Sequence, residues 1–254
     1  MPWQGGPALP QLLFLGSQSR SGGPKAQELK LHITRRQFHQ GSVVTALSLA
    51  LLGSTALPRF GAALADDDKV PMDDLMKPEA LPDMVMGKAD APVTIIEYAS
   101  MTCPHCAHFS ETTFPELKKR YIDTGKVRFI LRDFPLDNLA GAVFVLEHCI
   151  AKDDPEKYYT LVQTFFREQR TWAVEKPVPA LMAIAKQAGV NEKDFNACLT
   201  NQKAWDAMED VRQRALKEFK VDSTPTFFVN GTRITGAVPI EDFAKVIDPY
   251  LKGG

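Results

Sequence analysis

The sequence predicts an α/β fold in which a βαβ unit and a ββα unit are separated by an all-helical insertion. Three observations carry this. Val93–Tyr98 and Val127–Arg132 are short β-branched, apolar runs on either side of a helical stretch, which is the pattern of two parallel strands joined by a helix. From Ala140 to Lys220 the apolar residues keep helical spacing, and no strand pattern interrupts them. Thr226–Val229, Asn230-Gly231 and Thr232–Gly236 then form a hairpin with a type I′ turn, followed by a last helix from Pro239 to Leu251.

Taken in order, residues 1–65 precede the fold. Residues 1–33 are rich in Gly, Pro, Ser and Gln and show no period. Thr34-Arg35-Arg36-Gln37-Phe38, the apolar run Val43–Leu57 and Ala63-Leu64-Ala65 then follow the plan of an export signal, with a basic front, an apolar core and an A-x-A cleavage site. The paired arginines and Phe38 resemble a twin-arginine signal, although His39 and Gln40 replace the leucine and lysine expected there. The twin-arginine and general secretory routes therefore both stay open. The 33 residues ahead of the arginines imply a later translation start or an extended front. The apolar run is shorter than the roughly 20 residues a membrane-spanning helix needs, so cleavage is expected.

Residues 66–88 read as an acidic, Pro-broken extension with a short helix around Met72–Met76 and a first short strand near Met84–Gly87. Residues 89–136 hold the βαβ unit, with Gly125 as the left-handed cap that closes its helix. Residues 137–220 are the helical insertion, and residues 221–254 the closing ββα unit. The helices expected in the insertion are Ala140–Ala151, Pro155–Gln169, Val178–Ala188, Lys193–Thr200 and Ala204–Lys220. Composition is that of a globular protein, with 44% hydrophobic and 24% charged residues. A net charge of −1 offers no electrostatic case for nucleic acid.

The chemistry concentrates at Cys103-Pro104-His105-Cys106, where the first strand has ended and its helix begins. Unpaired N–H groups and the helix dipole at that point favour an anion, so the Cys103 thiol is expected to ionise easily. Pro104 suits the first helical position, because its missing N–H would be unpaired there in any case. His105 adds a donor, or a cation, beside the sulfur. Cys106, one turn in, can attack a mixed disulfide from behind. A zinc site would want a second close Cys/His pair, which Cys149 and Cys198 do not form, though His105 and His108 keep a mixed metal site open. Glu97 lies on a strand expected to be central, where an unpaired acid is costly unless it has a task or faces outward. Cys149 and Cys198 could be buried thiols, but in an oxidising compartment two cysteines of one subdomain more often pair, so a Cys149–Cys198 disulfide closing a loop of roughly 50 residues is expected. His148, Trp172, Phe165 and Phe166 read as packing residues, and Lys118-Lys119-Arg120 as a solvated helix face.

This frame with Cys-Pro-His-Cys at its first helix resembles the thioredoxin fold. The helical insertion makes it similar to the DsbA-like thiol:disulfide oxidoreductases over roughly Met84–Leu251. The resemblance implies an exported enzyme that introduces disulfides through Cys103 and Cys106, with no cofactor and no metal. It implies that Thr224-Pro225 is a cis peptide that faces the dithiol, binds an extended substrate segment and keeps metals away. It also implies that Glu97 is a buried proton acceptor for Cys106. The partners implied are reduced or unfolded exported proteins and a membrane redox partner of the DsbB type, with the enzyme a periplasmic monomer. Valine often precedes the proline in DsbA. Thr224 is closer to isomerases and reductases, which keeps that activity as the alternative, beside a metal-handling protein of the same fold.

Overall fold

The computed structural model describes residues 69–252. The expected export signal, read at Arg35-Arg36 and Ala63–Ala65, lies outside the described residues. The chain runs through α1 (Met72–Leu75), β1 (Met84–Met86), β2 (Val93–Ala99), α2 (Pro104–Thr112), α3 (Phe114–Leu117), a π-helical turn (Lys118–Ile122) and β3 (Val127–Asp133). The insertion follows as α4 (Asn138–Ala151), α5 (Pro155–Arg167), α6 (Gln169–Trp172), α7 (Val178–Gln187), α8 (Glu192–Leu199) and α9 (Gln202–Glu218). The hairpin β4 (Thr226–Val229) and β5 (Thr232–Thr235) and the helix α10 (Ile240–Lys252) close the chain. Among the described residues no helix is long and apolar enough to cross a membrane.

The strands form one sheet in the order β1-β3-β2-β4-β5. β2 and β3 run parallel, with Val93 opposite Val127 and Ala99 opposite Asp133. β1 pairs antiparallel with β3, β4 with β2, and β5 with β4. β2 is central and buried along its whole length. Because strand side chains alternate between faces, its odd and even residues join different cores. Val93, Ile95 and Ala99 pack with Cys106, Phe109, Phe227 and Phe243. Ile96 and Tyr98 pack with Leu75, Phe219 and Phe228 on the other side. The ring centroids of Phe109 and Phe227 are 4.6 Å apart, and those of Phe227 and Phe243 4.9 Å, so the dithiol helix is clamped to the sheet by aromatic contacts.

The expected single helix after the dithiol is broken at Thr113. Pro115 has no N–H to donate to the carbonyl of Glu111, so the ladder restarts as α3 and then widens into the π-helical turn, where Asp123 N–H donates to the Lys118 carbonyl. The second expected helix of the insertion also divides. α5 stops at Arg167, and α6 begins at Gln169 after Glu168 leaves helical geometry. The Trp172 indole N–H donates to the Phe165 carbonyl at 2.7 Å and holds the two pieces together. Gly125, Asn230 and Gly231 all have positive φ, as the cap and the type I′ turn require.

Candidate functional site

Cys103 is the N-cap of α2, and Pro104 occupies the first helical position. The Cys103 thiol is 3.3 Å from the Thr224 carbonyl oxygen, which accepts from it, and Thr224-Pro225 is a cis peptide. The strand-side loop and the hairpin-side loop thus meet at one sulfur, although 121 residues separate them in sequence. Cys103 and Cys106 are both free thiols, 4% and 0% exposed.

The two sulfurs are pushed in opposite directions. Cys103 is lowered to about 5, first by the Cys106 thiol beside it, against the opposing effect of burial, then by the Thr224 side chain and the backbone N–H groups of Cys106 and His105. Burial raises Cys106 well above the ordinary thiol value, and the neighbouring Cys103 and Glu97 add to it. One thiol is therefore an anion near neutral pH, and the other keeps its proton. His105 acts through its backbone: its side chain is exposed and makes no hydrogen bond among the described residues. The ring donor expected beside the sulfur is replaced by a main-chain N–H of the first turn.

Glu97 is 2% exposed and shares the sheet face of Ile95 and Ala99, beneath the dithiol helix. Its Oε1 has no hydrogen-bond partner among the described residues. Burial, and then the charge of Cys103, raise its pKa well above the carboxylate range. Its protonated form is thereby favoured, close to the Cys106 thiol whose proton it also affects.

The insertion holds the loop leading into Cys103 through residues that the sequence reading did not single out. Asp137 caps α4 through Oδ1, which accepts from Ala140 N–H at 2.8 Å, while its Oδ2 accepts from the Thr102 hydroxyl at 2.7 Å. Ser100 Oγ accepts from Leu136 N–H at 3.2 Å. The buried Gln169 amide donates to the carbonyls of Met101, at 2.7 Å, and Cys103, at 3.0 Å. An acid just before a helical run reads as a cap, so half of the Asp137 role carries a sequence signal. Gln169 carries none, because its partners are 66 and 68 residues away.

Cys149 and Cys198 are disulfide-bonded, with Cα atoms 5.7 Å apart, and join α4 to α8. His148 is more than a packing residue. Its Nε2 is 3.0 Å from Asp133 Oδ2, and its ring lies against Tyr158. Trp172, Phe165 and Phe166 are buried. Lys118 and Arg120 pair with Asp123 and Glu116 at the surface. No cluster of three or more His, Cys, Asp or Glu side chains able to hold a metal ion occurs among the described residues.

A dithiol at a helix N-terminus, facing a cis-proline loop on a mixed sheet, defines a thioredoxin-fold redox centre. A family model described as thioredoxin matches residues 79–249, and the chain belongs to that family. It is 33% identical over 171 residues to a Rickettsia conorii protein provisionally named a protein-disulfide oxidoreductase, which covers 67% of this chain and 61% of that protein. The chain thus spans about three-fifths of the length of that curated relative. Disulfide bond formation protein D of Bacillus subtilis is 26% identical over 171 residues, covering 66% of this chain and 77% of that protein. Among solved structures, Wolbachia pipientis alpha-DsbA1 is similar with a TM-score of 0.65 and 31% identity, over 71% of this chain and 96% of that one. BdbD of Bacillus subtilis is similar with a TM-score of 0.61 and 25% identity, over 67% of this chain and 94% of that one.

Proposed function

We propose that this protein is an exported thiol:disulfide oxidoreductase that introduces disulfides into other proteins. The observation that carries the reading is the asymmetric dithiol, with Cys103 lowered to about 5 and Cys106 raised. Whatever stabilises the Cys103 thiolate stabilises the reduced enzyme, and so makes its disulfide a stronger oxidant. Threonine before the proline, by residue type, keeps the isomerase or reductase as the alternative, since its hydroxyl has no hydrogen-bond partner among the described residues.

In the reaction, a substrate thiolate attacks Cys103 of the oxidised pair. A bond forms between the substrate sulfur and Cys103, and the Cys103–Cys106 bond breaks. Cys106 leaves as a thiolate and takes up a proton, for which the protonated Glu97 carboxyl is the neighbouring source. A second substrate thiolate then attacks the sulfur bound to Cys103 and releases the Cys103 thiolate. The substrate has lost two electrons and the enzyme dithiol has gained them. The Thr224 carbonyl and Pro225 bind the extended substrate segment opposite Cys103.

The substrates in this reading are reduced or unfolded exported proteins. A quinone-linked membrane partner of the DsbB kind takes the electrons from the reduced dithiol. The protein is periplasmic, carried there by the signal in residues 1–65, and works as a monomer. The deciding experiment is the reduction potential of the Cys103–Cys106 pair against glutathione. A value at or above the glutathione range supports the oxidase. A value well below it, toward that of thioredoxin, replaces the oxidase by the reductase. Fusing residues 1–65 to a reporter tests the location, because export must follow the fusion and fail on Arg35→Lys with Arg36→Lys if the twin-arginine route is used.

A further inference from the structure

The face of α2 that leads away from Cys103 is not covered. Pro104, Ala107 and His108 form one wall of a cavity of about 290 Å³, and Phe166, Arg167 and Arg170 at the α5–α6 junction form the other. Gln169, which holds the Cys103 carbonyl, lies at its edge. The cavity therefore lies beside the first turns of α2, from Pro104 next to Cys103 onward, on the side of α2 faced by the insertion.

Its charge is unusual for this molecule. Every other arginine among the described residues is held by a carboxylate or by two hydrogen bonds: Arg120, Arg132, Arg212 and Arg214 by carboxylates, Arg128 and Arg233 by two bonds each. Arg167 has one bond, to the Thr164 hydroxyl, and Arg170 has no polar partner among the described residues. Both are exposed and line the same cavity. Glu111 is the one acid on its rim, so the guanidinium charge exceeds the carboxylate charge. An arginine fork is shaped for a carboxylate, and two without a carboxylate partner, in a cavity that Pro104 also lines, fit a carboxylate brought by the substrate.

We propose that this cavity is a specificity subsite for an acidic side chain of the substrate polypeptide, close in sequence to the cysteine that reacts with Cys103. The inference rests on the oxidoreductase reading above and names which substrates it favours. Cys103 to His108 spans roughly 7.5 Å along a helix at about 1.5 Å per residue. An extended chain covers about 3.3 Å per residue, so the acid belongs roughly two to four residues from the substrate cysteine. The Thr224 carbonyl approaches Cys103 from the hairpin loop, so the substrate backbone and this acidic side chain have separate anchoring points.

The test uses three reduced dithiol peptides, identical except for two Glu, two Gln or two Lys residues three positions from the first cysteine. The oxidised full chain is assayed for kcat/KM on each. The expected result at low salt is a preference of about five- to tenfold for the Glu peptide over the Gln peptide, the Lys peptide being slowest. The preference should shrink at about 0.5 M salt, because exposed charges are screened. Arg167→Glu with Arg170→Glu should invert the order and make the Lys peptide fastest. Both positions are exposed, and the milder single variants Arg167→Gln and Arg170→Gln, each expected to shrink the preference, keep the test open if the double variant fails to fold. Equal rates on all three peptides overturn the subsite and leave the oxidoreductase reading standing. An acidic preference that the double variant retains places the recognition elsewhere and overturns it too. Failure to oxidise any of the peptides overturns both readings.

Discussion

Cys103 and Cys106 are three residues apart at the start of one helix, and they are free thiols. Cys149 and Cys198 are 49 residues apart on two helices, and they are bonded. Position in the fold separates the two pairs. The first pair is placed so that one sulfur gains by being an anion: it takes helix N–H groups and the Cys106 thiol as partners, while burial holds that neighbouring thiol protonated. The second pair has no such asymmetry and closes a long loop in the insertion. A reactive pair needs a stabilised reduced state, whereas a structural pair needs a destabilised open chain.

Removing each pair should break the comparison in different currencies. Cys103→Ser should reduce substrate oxidation to the uncatalysed level and leave the melting temperature within a few degrees. Cys149→Ser with Cys198→Ser should do the reverse, costing about 2–4 kcal/mol of stability while the reduction potential of Cys103–Cys106 stays in its range. A double variant with unchanged melting under oxidising conditions would remove the structural role of the second pair.

Glu97 sharpens the comparison one step further, because it serves the reactive pair alone. Glu97→Gln keeps the shape and removes the exchangeable proton. Turnover should fall by about 10- to 100-fold, with the loss concentrated where Cys106 changes protonation. Stability at neutral pH should rise, because a buried carboxyl with a raised pKa opposes folding once the unfolded chain ionises. A variant that is slower and less stable would mark Glu97 as a packing residue instead.

Gln169→Leu should have a smaller effect. Two buried carbonyls, those of Met101 and Cys103, lose their donor, at a cost of about 1–3 kcal/mol. Because Gln169 positions the loop, the thiolate absorbance of Cys103 should titrate at a different pH in this variant. A titration that stays in place while only stability falls limits Gln169 to the fold.

The pH dependence should show the least dramatic change, yet it bears directly on the asymmetry. The Cys103 pKa is lowered in the folded, reduced protein. Its thiolate therefore adds stability that is complete above the ordinary thiol value of about 8.5 and is lost as pH falls toward about 5. Reduced protein should melt above oxidised protein at pH 8, and the gap should narrow through pH 6 and 5. The Cys149–Cys198 bond does not titrate and should add nothing to that slope.

Much of this site could be read along the chain. The Cys-Pro-His-Cys helix start and the Asn-Gly hairpin are local patterns of spacing and residue type, whereas the face that Glu97 takes was open in the residues alone. Helix and strand periods, turn chemistry and the preference of a helix N-terminus for an anion act over a few residues, so the sequence by itself determined them. Tertiary structure decided the rest. It brought the Thr224 carbonyl to Cys103, let Asp137 accept from Thr102 while capping α4, and turned Gln169 onto the loop through a helix break at Glu168. It replaced the His105 ring by the His105 backbone N–H as the donor near the sulfur. It also left Arg167 and Arg170 without an ion-pair partner among the described residues, in a cavity beside α2. Each of these depends on two segments arriving at one place at a separation of ångströms, and a periodic pattern does not encode that distance.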